Sequence, residues 1–171
     1  MKKVVLKYGF RSAIAMIILF LIQWLLLADL DFGTSEVLGY ISMIVSLSFV
    51  YFGLKYYRDN VNDNKLSFGQ GLKIGVLIIL IPSLAFGLLD ILYVTIINPD
   101  FLDAYYSQMV ADMKTKLPPA EFEVKLASLE SEKEMFANPL IQFVVMGITV
   151  FMVGFIMTII STLLLQRKGA N

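Results

Sequence analysis

The sequence predicts an all-α fold: an integral membrane bundle of four transmembrane helices, with an extracytoplasmic amphipathic helical hairpin between spans three and four. Composition is the first reason. Of 171 residues, 58% are hydrophobic and 16% charged, against roughly half and about a quarter in soluble domains. Mean hydropathy is +0.76. The second reason is length: four apolar segments approach or exceed the ~20 residues a helix needs to cross a ~30 Å hydrocarbon core. The third is that basic residues cluster in every second connection. The apolar runs lack period-two alternation, so helices rather than barrel strands must satisfy the backbone.

The first span covers residues 12–28 and is apolar except for Gln23. Lys2, Lys3, Lys7 and Arg11 precede it. No A-x-A-like cleavage site follows; the chain runs "LLLADLDFG". An uncleaved signal-anchor helix therefore fits better than a secretory signal. The second span, residues 37–54, holds no charge. Gly39, Ser42, Ser46 and Gly53 lie roughly along one face of it. Small residues mark helix contact in membranes, so that face is expected to meet either the Ser67–Gly75 ladder or the Ser83–Gly87 face described next.

"DNVNDNK", from Asp59 to Lys65, is turn chemistry, because Asn and Asp bond their own backbone. Ser67 with Gln70 three residues later fits a capping box and marks a helix start. The third span covers residues 72–97 and contains Pro82 and Asp90. Gly69, Gly71 and Gly75 fit neither the dinucleotide fingerprint nor the P-loop spacing, and no strand precedes them. Ser67, Gly71 and Gly75 read instead as a small-xxx-small ladder that allows close helix approach.

Between residues 98 and 138 the chain is too long for a structureless loop. Leu102, Tyr105, Met109 and Met113 recur at helical steps, as do Phe122, Leu126, Leu129 and Phe136, with Lys133 interrupting. Pro118 and Pro119 separate the two stripes, and Pro119 can open the second helix. A hairpin of about 20 residues per arm is expected. Its glutamates, Glu121, Glu123, Glu130, Glu132 and Glu134, interleave with Lys or apolar positions and match no EF-hand loop. They read as a solvated face. The hairpin either caps the bundle by packing on itself or offers a docking surface. The fourth span, residues 140–165, is uncharged apart from the Arg167 and Lys168 that follow it.

Orientation follows from the basic residues. Of 14 Lys and Arg, ten lie before span one, between spans two and three, or after span four, and four lie in the hairpin. The hairpin carries eight acids against those four lysines, a net of minus four. The positive-inside rule places both termini in the cytoplasm. Trp24, Phe32 and Tyr40 flank the outer face, and Tyr51, Tyr56 and Tyr57 the inner one, where aromatic rings with polar tips sit well.

Asp90 is the one acid inside a span. Ser83, Gly87 and Asp90 share a helical face, so the carboxyl is expected to point into the bundle. Gln23 and Gln142 lie in the same outer part of the membrane, and the three side chains could form one polar cluster. The plain reading is a structural contact that fixes helix register. The sharper reading is an ion or proton site, because an intramembrane acid is a functional hypothesis by default.

The chain has no Cys and no His, which removes thiol nucleophiles, His-based triads and ordinary zinc sites. Zero formal net charge argues against nucleic acid as a partner. No enzyme activity, cofactor or metal is expected.

The blocks "LKYGFRSAI", "LGYISMIVSLSFVYFGLKYYRDN", "SFGQGLKIGVLI", "NPDFLDAYYSQM" and "GFIMTIISTLLLQRK" resemble the domain-of-unknown-function 4199 family of bacterial integral membrane proteins, found largely in Bacteroidota. The resemblance spans nearly the whole chain, and the second-span block is its most specific part. It implies a four-span inner-membrane protein and brings no activity, so no site residues come with it. The family pattern places an acid and a proline in the last span before a Val-Gly pair. Here "TVFMVG" has Thr149 and Met152 around that place, so a role built on that acid does not extend to this chain.

The reading is a non-enzymatic membrane protein of the cell envelope, with the bilayer as partner and the 98–138 hairpin as a surface for another envelope protein. The alternative is a small-solute or ion transporter or channel subunit using Asp90, for which four short spans would need to oligomerise.

Overall fold

A computed structural model of the chain describes residues 1–27 and 30–166. Ala28 and Asp29, and the closing basic pair Arg167 and Lys168, lie outside the described residues.

All four apolar segments fold as helices long and apolar enough to cross a membrane. α1 is Lys2–Leu26. It begins ten residues before the expected span, because the basic leader is itself helical. Long basic side chains can follow a helix out to the headgroups without breaking it. The second span is divided into α2, Phe32–Leu47, and α3, Phe49–Val61. Ser48 sits at the join, keeps right-handed helical angles and turns its hydroxyl back onto the Val45 carbonyl at 2.6 Å. α4 is Phe68–Leu92, followed by a π-helical turn, Tyr93–Ile97. α5 is Phe101–Lys116, α6 is Pro119–Phe136 and α7 is Pro139–Leu165. The hairpin arms are therefore 16 and 18 residues, slightly shorter than expected because the prolines and their flanks are spent on the turns.

Local chemistry sets several of these ends. The Ser67 hydroxyl accepts from the Gln70 N–H at 3.3 Å, and the Gln70 side chain accepts from the Ser67 N–H at 3.2 Å. This reciprocal pair is the capping box expected from sequence. Pro119 occupies the first turn of α6, where its missing N–H costs nothing. Asp31 caps α2. Its carboxylate accepts from the Thr34 N–H at 3.0 Å and from the Thr34 hydroxyl at 2.6 Å.

These bonds, the hydroxyl first, hold the Asp31 carboxyl below the ordinary carboxylate range, against a smaller opposing push from desolvation. A folded-state value below the unfolded one means the cap contributes fully above about pH 4 and is lost as pH falls through the lower folded value. Hydrogen exchange at the Thr34 amide should accelerate selectively on acidification below that point. Asp31→Ala should already show the fast rate at neutral pH.

The chain divides into two compact units, residues 1–86 with 146–171, and residues 87–145. In the first, α1 packs against α2 and α3. The Ser12 hydroxyl donates to the Ser46 carbonyl at 2.7 Å, buried between α1 and α2. Gly39 rests on the Phe20 ring at ordinary contact distance, and a side chain at Gly53 would meet Tyr8 at 3.1 Å. The small face of the second span thus serves α1, and through Gly53 also Ile78 of α4. Of the two faces expected to meet it, the Ser67–Gly75 ladder turns elsewhere at its glycines. Gly71 and Gly75 lie against Thr162 and Thr158 of α7.

Pro82 lies inside α4. It cannot donate to the carbonyl four residues earlier, that of Ile78. Gly9 of α1 comes up against that same oxygen, 3.1 Å from where a Cβ would sit. The helix is tolerated there because a close backbone neighbour shields the freed carbonyl.

Arg58 is the buried cation of this unit. Its Nε donates to Asp59 at 2.6 Å, and Nη1 donates to the Leu165 carbonyl at 3.3 Å. It therefore ties the end of α3 to the last turn of α7, where carbonyls lack helical donors and a cation suits the helix dipole. Arg58→Ala should cost about 1–3 kcal/mol by stranding that carbonyl and the carboxylate. Arg58→Lys should recover little, since one ammonium cannot replace a forked donor. Unfolding of the purified variants in detergent measures both.

In the second unit α5 and α6 contact each other. Tyr106 and Leu129 are buried, while Met109, Met113, Phe122, Leu126 and Phe136 are half-buried. Lys133 of α6 pairs with Asp103 of α5 at 2.6 Å. Lys133 interrupts the apolar stripe because it bridges the arms.

Candidate functional site

The outward faces of the four long helices are apolar. On α1 they carry Phe10, Ile14, Ile18 and Ile22, on α4 Leu80, Leu84, Leu88 and Leu92, and on α7 Val144, Ile148, Met152, Ile156 and Ile160. Each series steps by three or four residues, so it forms one stripe. The buried residues include Ser12, Gln23, Ser46, Arg58, Ser83, Asp90, Gln142, Thr158, Ser161 and Thr162. These residues are set among a larger number of buried apolar ones, so it is the bare apolar outer stripes that depart from the pattern of a soluble bundle.

Asp90 and Gln142 are the pair that the second unit brings together. Gly87, one turn before Asp90, sits against Phe143. A Cβ there would lie 2.8 Å from the Phe143 carbonyl oxygen and 2.8 Å from its ring. Only glycine permits that approach, and it draws the start of α7 onto the end of α4. Gln142 is the residue next to Phe143, and its side chain is the hydrogen-bonding neighbour of the Asp90 carboxyl. Asp90 is 8% exposed and Gln142 2%. One carboxyl oxygen, Oδ2, is buried with no hydrogen-bond partner among the described residues.

Past Asp90 the helix widens. The Asn98 N–H donates to the Tyr93 carbonyl, five residues back, at 2.7 Å. The Thr95 hydroxyl donates to the Ile91 carbonyl at 2.6 Å, and the Asn98 amide to the Tyr93 hydroxyl at 3.2 Å. Such π-helical turns need side-chain help because their own bonds are strained. Here Thr95 and Asn98 supply it. From Tyr93 a run of rings leads into the hairpin: Tyr93 to Phe101 at 5.2 Å, Phe101 stacked on Tyr105 at 6.1 Å, and Tyr105 edge-on to Tyr106 at 5.7 Å. Burial, then the nearby Glu132 and Tyr105, push the Tyr106 phenol up, so it stays neutral.

The other sequence candidates fall elsewhere. Gln23 belongs to the first unit, where its amide donates to the Ser35 carbonyl at 2.7 Å and links α1 to the first turn of α2. Ser83 donates to the Ile79 carbonyl at 2.8 Å within α4. Its own backbone oxygen lies 3.4 Å from where a Cβ of Gly147 would sit. Ser67 is the cap of α4 rather than a packing residue. Gly71 and Gly75 face the hydroxyls of Thr162 and Thr158, both fully buried and both without a hydrogen-bond partner among the described residues.

Among the described residues no three Asp or Glu side chains converge as metal ligands. Sequence reasoning missed Arg58, whose partner is 107 positions away. It also missed the pairing of Lys7 and Arg11 with the Tyr8 and Tyr56 rings. The only signal for the latter was the i, i+4 spacing of the two cations.

Residues 7–167 match the family described as a protein of unknown function, DUF4199. Neither a curated protein nor a solved structure matches the chain.

Proposed function

The chain belongs to the DUF4199 family, and from that premise we propose that it is a non-enzymatic, multi-pass protein of the bacterial inner membrane. Both termini lie in the cytoplasm, and the α5–α6 hairpin stands outside as an assembly surface for another envelope protein. The observation that carries this reading is the exposed apolar stripe on each of the long helices α1, α4 and α7. Their outward stripes suit lipid, and the buried hydroxyl of Ser12 and amide of Gln23 are spent on backbone carbonyls between helices. Groups used in this way hold a bundle together.

The seam of the hairpin is closed by its own stripes and by the Lys133–Asp103 pair. A partner would therefore meet the outer faces, where Val124 is 73% exposed, and not Met109, Met113, Leu126 or Leu129.

The absence of cysteine makes topology directly testable. Single cysteines at Ser128 and Asn60, both exposed, are probed with a membrane-impermeant maleimide on intact spheroplasts. Labelling at Ser128 before lysis and at Asn60 only after it is the expected result. The reverse order would overturn the orientation, and labelling of neither site in intact membranes would remove the outer hairpin. Crosslinking from Val124 in native membranes then tests for the partner.

One observation favours the alternative of an ion-conducting or solute-transporting oligomer. The Oδ2 of Asp90 is a buried acceptor without a partner among the described residues, which is costly unless something binds it.

A further inference from the structure

We propose that Lys7 and Arg11, held on the Tyr8–Tyr56 ring pair, form a binding site for the headgroup of one anionic phospholipid. Lys7 Nζ lies 4.6 Å from the centroid of the Tyr56 ring and 5.5 Å from that of Tyr8. The Arg11 guanidinium lies 5.5 Å from the Tyr8 ring. The two rings are 5.9 Å apart and join α1 to α3. Both cations therefore converge on one ring pair, placed by attraction to the ring faces.

None of the ion pairs among the described residues engages Lys7, Arg11 or the nearby Lys55. The acid closest in sequence to Lys55, Asp59, binds Arg58. Two like charges held together without an anion call for one. A phosphodiester fits, because it spans a forked guanidinium and a point-charge ammonium together.

The surroundings say that this anion carries acyl chains. Lys7, Phe10, Arg11 and Ile14 follow i, i+3, i+4, i+7 spacing on one face of α1. Phe52, Lys55 and Tyr56 share a face of α3 in the same way. Phe10, Ile14 and Phe52 are each more than half exposed. Cations therefore stand directly above bare apolar surface, the profile of a headgroup over its chains. A zwitterionic lipid brings its own ammonium, which the two cations would repel. The ligand class is a lipid of net negative headgroup, such as phosphatidylglycerol. This inference depends on the chain lying in a membrane but not on which way it faces.

The test is native mass spectrometry of the full-length protein released from detergent, with phosphatidylglycerol or phosphatidylcholine added at equal concentration. Expected is binding of one phosphatidylglycerol about tenfold or more tighter than phosphatidylcholine. The preference should fall to within about twofold in the Lys7→Gln/Arg11→Gln variant. It should persist in Lys7→Arg/Arg11→Lys, which keeps the charges and guards against a folding artefact. Lys2→Gln/Lys3→Gln removes equal charge from exposed lysines outside the ring pair and should leave the preference intact. Equal binding of both lipids, or an equal loss in the Lys2/Lys3 variant, would overturn the site. Displacement by millimolar inorganic phosphate would show that a free anion suffices, and would overturn the lipid assignment. Failure of the membrane reading looks different: the protein would then not enter phosphatidylcholine vesicles at all.

Discussion

Gly75→Leu is expected to prevent α4 and α7 from packing, so that the purified protein aggregates or elutes as an expanded species. Gly75 lies against Thr158. A Cβ at that position would meet the threonine Cγ2 in hard overlap, its Oγ1 at 3.0 Å and its Cβ at 3.1 Å. The whole side chain of Thr158 is in the way, so no rotamer change clears it. Gly71 repeats the arrangement one turn earlier, with Thr162 Oγ1 at 2.8 Å and Cβ at 3.2 Å. Even Gly75→Ala has two opposing terms. Alanine gains up to ~1 kcal/mol of helix propensity, while overpacking a tight contact costs about 1–3 kcal/mol. Overpacking wins here because α4 is also held one turn on, where Ile78 meets Gly53 and Gly9. Thr158→Ala tests the cause. It removes Cγ2 and a buried hydroxyl without a hydrogen-bond partner, so alone it should be nearly neutral, and in the Gly75→Ala background it should restore most of the loss. Unfolding of the single and double variants in detergent gives the coupling energy. Additive effects would mean that the two residues do not meet.

The features legible in the sequence are those that a short window determines. The long helices followed from apolar run length, the start of α4 from Ser67 and Gln70, and the start of α6 from Pro119. The hairpin followed from two stripes of helical period; Leu129 of the second is buried, whereas on the first arm the buried ring is Tyr106 and the expected Tyr105 is only half-buried. Asp90 was expected to point inward beside Gln23 and Gln142; it is buried, with Gln142 near it and Gln23 bonded elsewhere, to the Ser35 carbonyl. What was missed depends on which helix lies beside which. The small face of the second span could have served any neighbour, and only tertiary packing gives it to α1 and Ile78. Gly71 and Gly75 announced a close contact but not Thr158 and Thr162, because nothing in a small-xxx-small ladder specifies the partner. The break at Ser48 and the π-helical turn after Leu92 cost one or two backbone bonds each, too little to leave a compositional trace. Arg58 looked like one more inner basic residue, although its guanidinium is committed to a carbonyl at the far end of the chain.

The role of Asp90 separates on three substitutions. Asp90→Asn is expected to fold with near-native stability, because an amide can still bond the Gln142 side chain and occupies the same volume. Asp90→Leu is expected to lose about 1–3 kcal/mol, since it strands the buried amide of Gln142. Asp90→Leu/Gln142→Leu should regain most of that loss, because removing both partners of a buried polar pair is often neutral or better. This ordering is what a register-fixing contact predicts, and it concerns stability alone. A transport role predicts something the ordering cannot mimic. Asp90→Asn would then fold normally yet abolish ion-dependent flux in proteoliposomes, because the amide has no charge to offer the ion. Native flux with a well-folded Asp90→Asn protein would remove Asp90 from any conduction path. If instead the Asn variant alone were destabilised, the unpartnered Oδ2 would be holding a cation that the fold itself requires. The buried, half-satisfied carboxyl would then be a binding site first and a helix contact second.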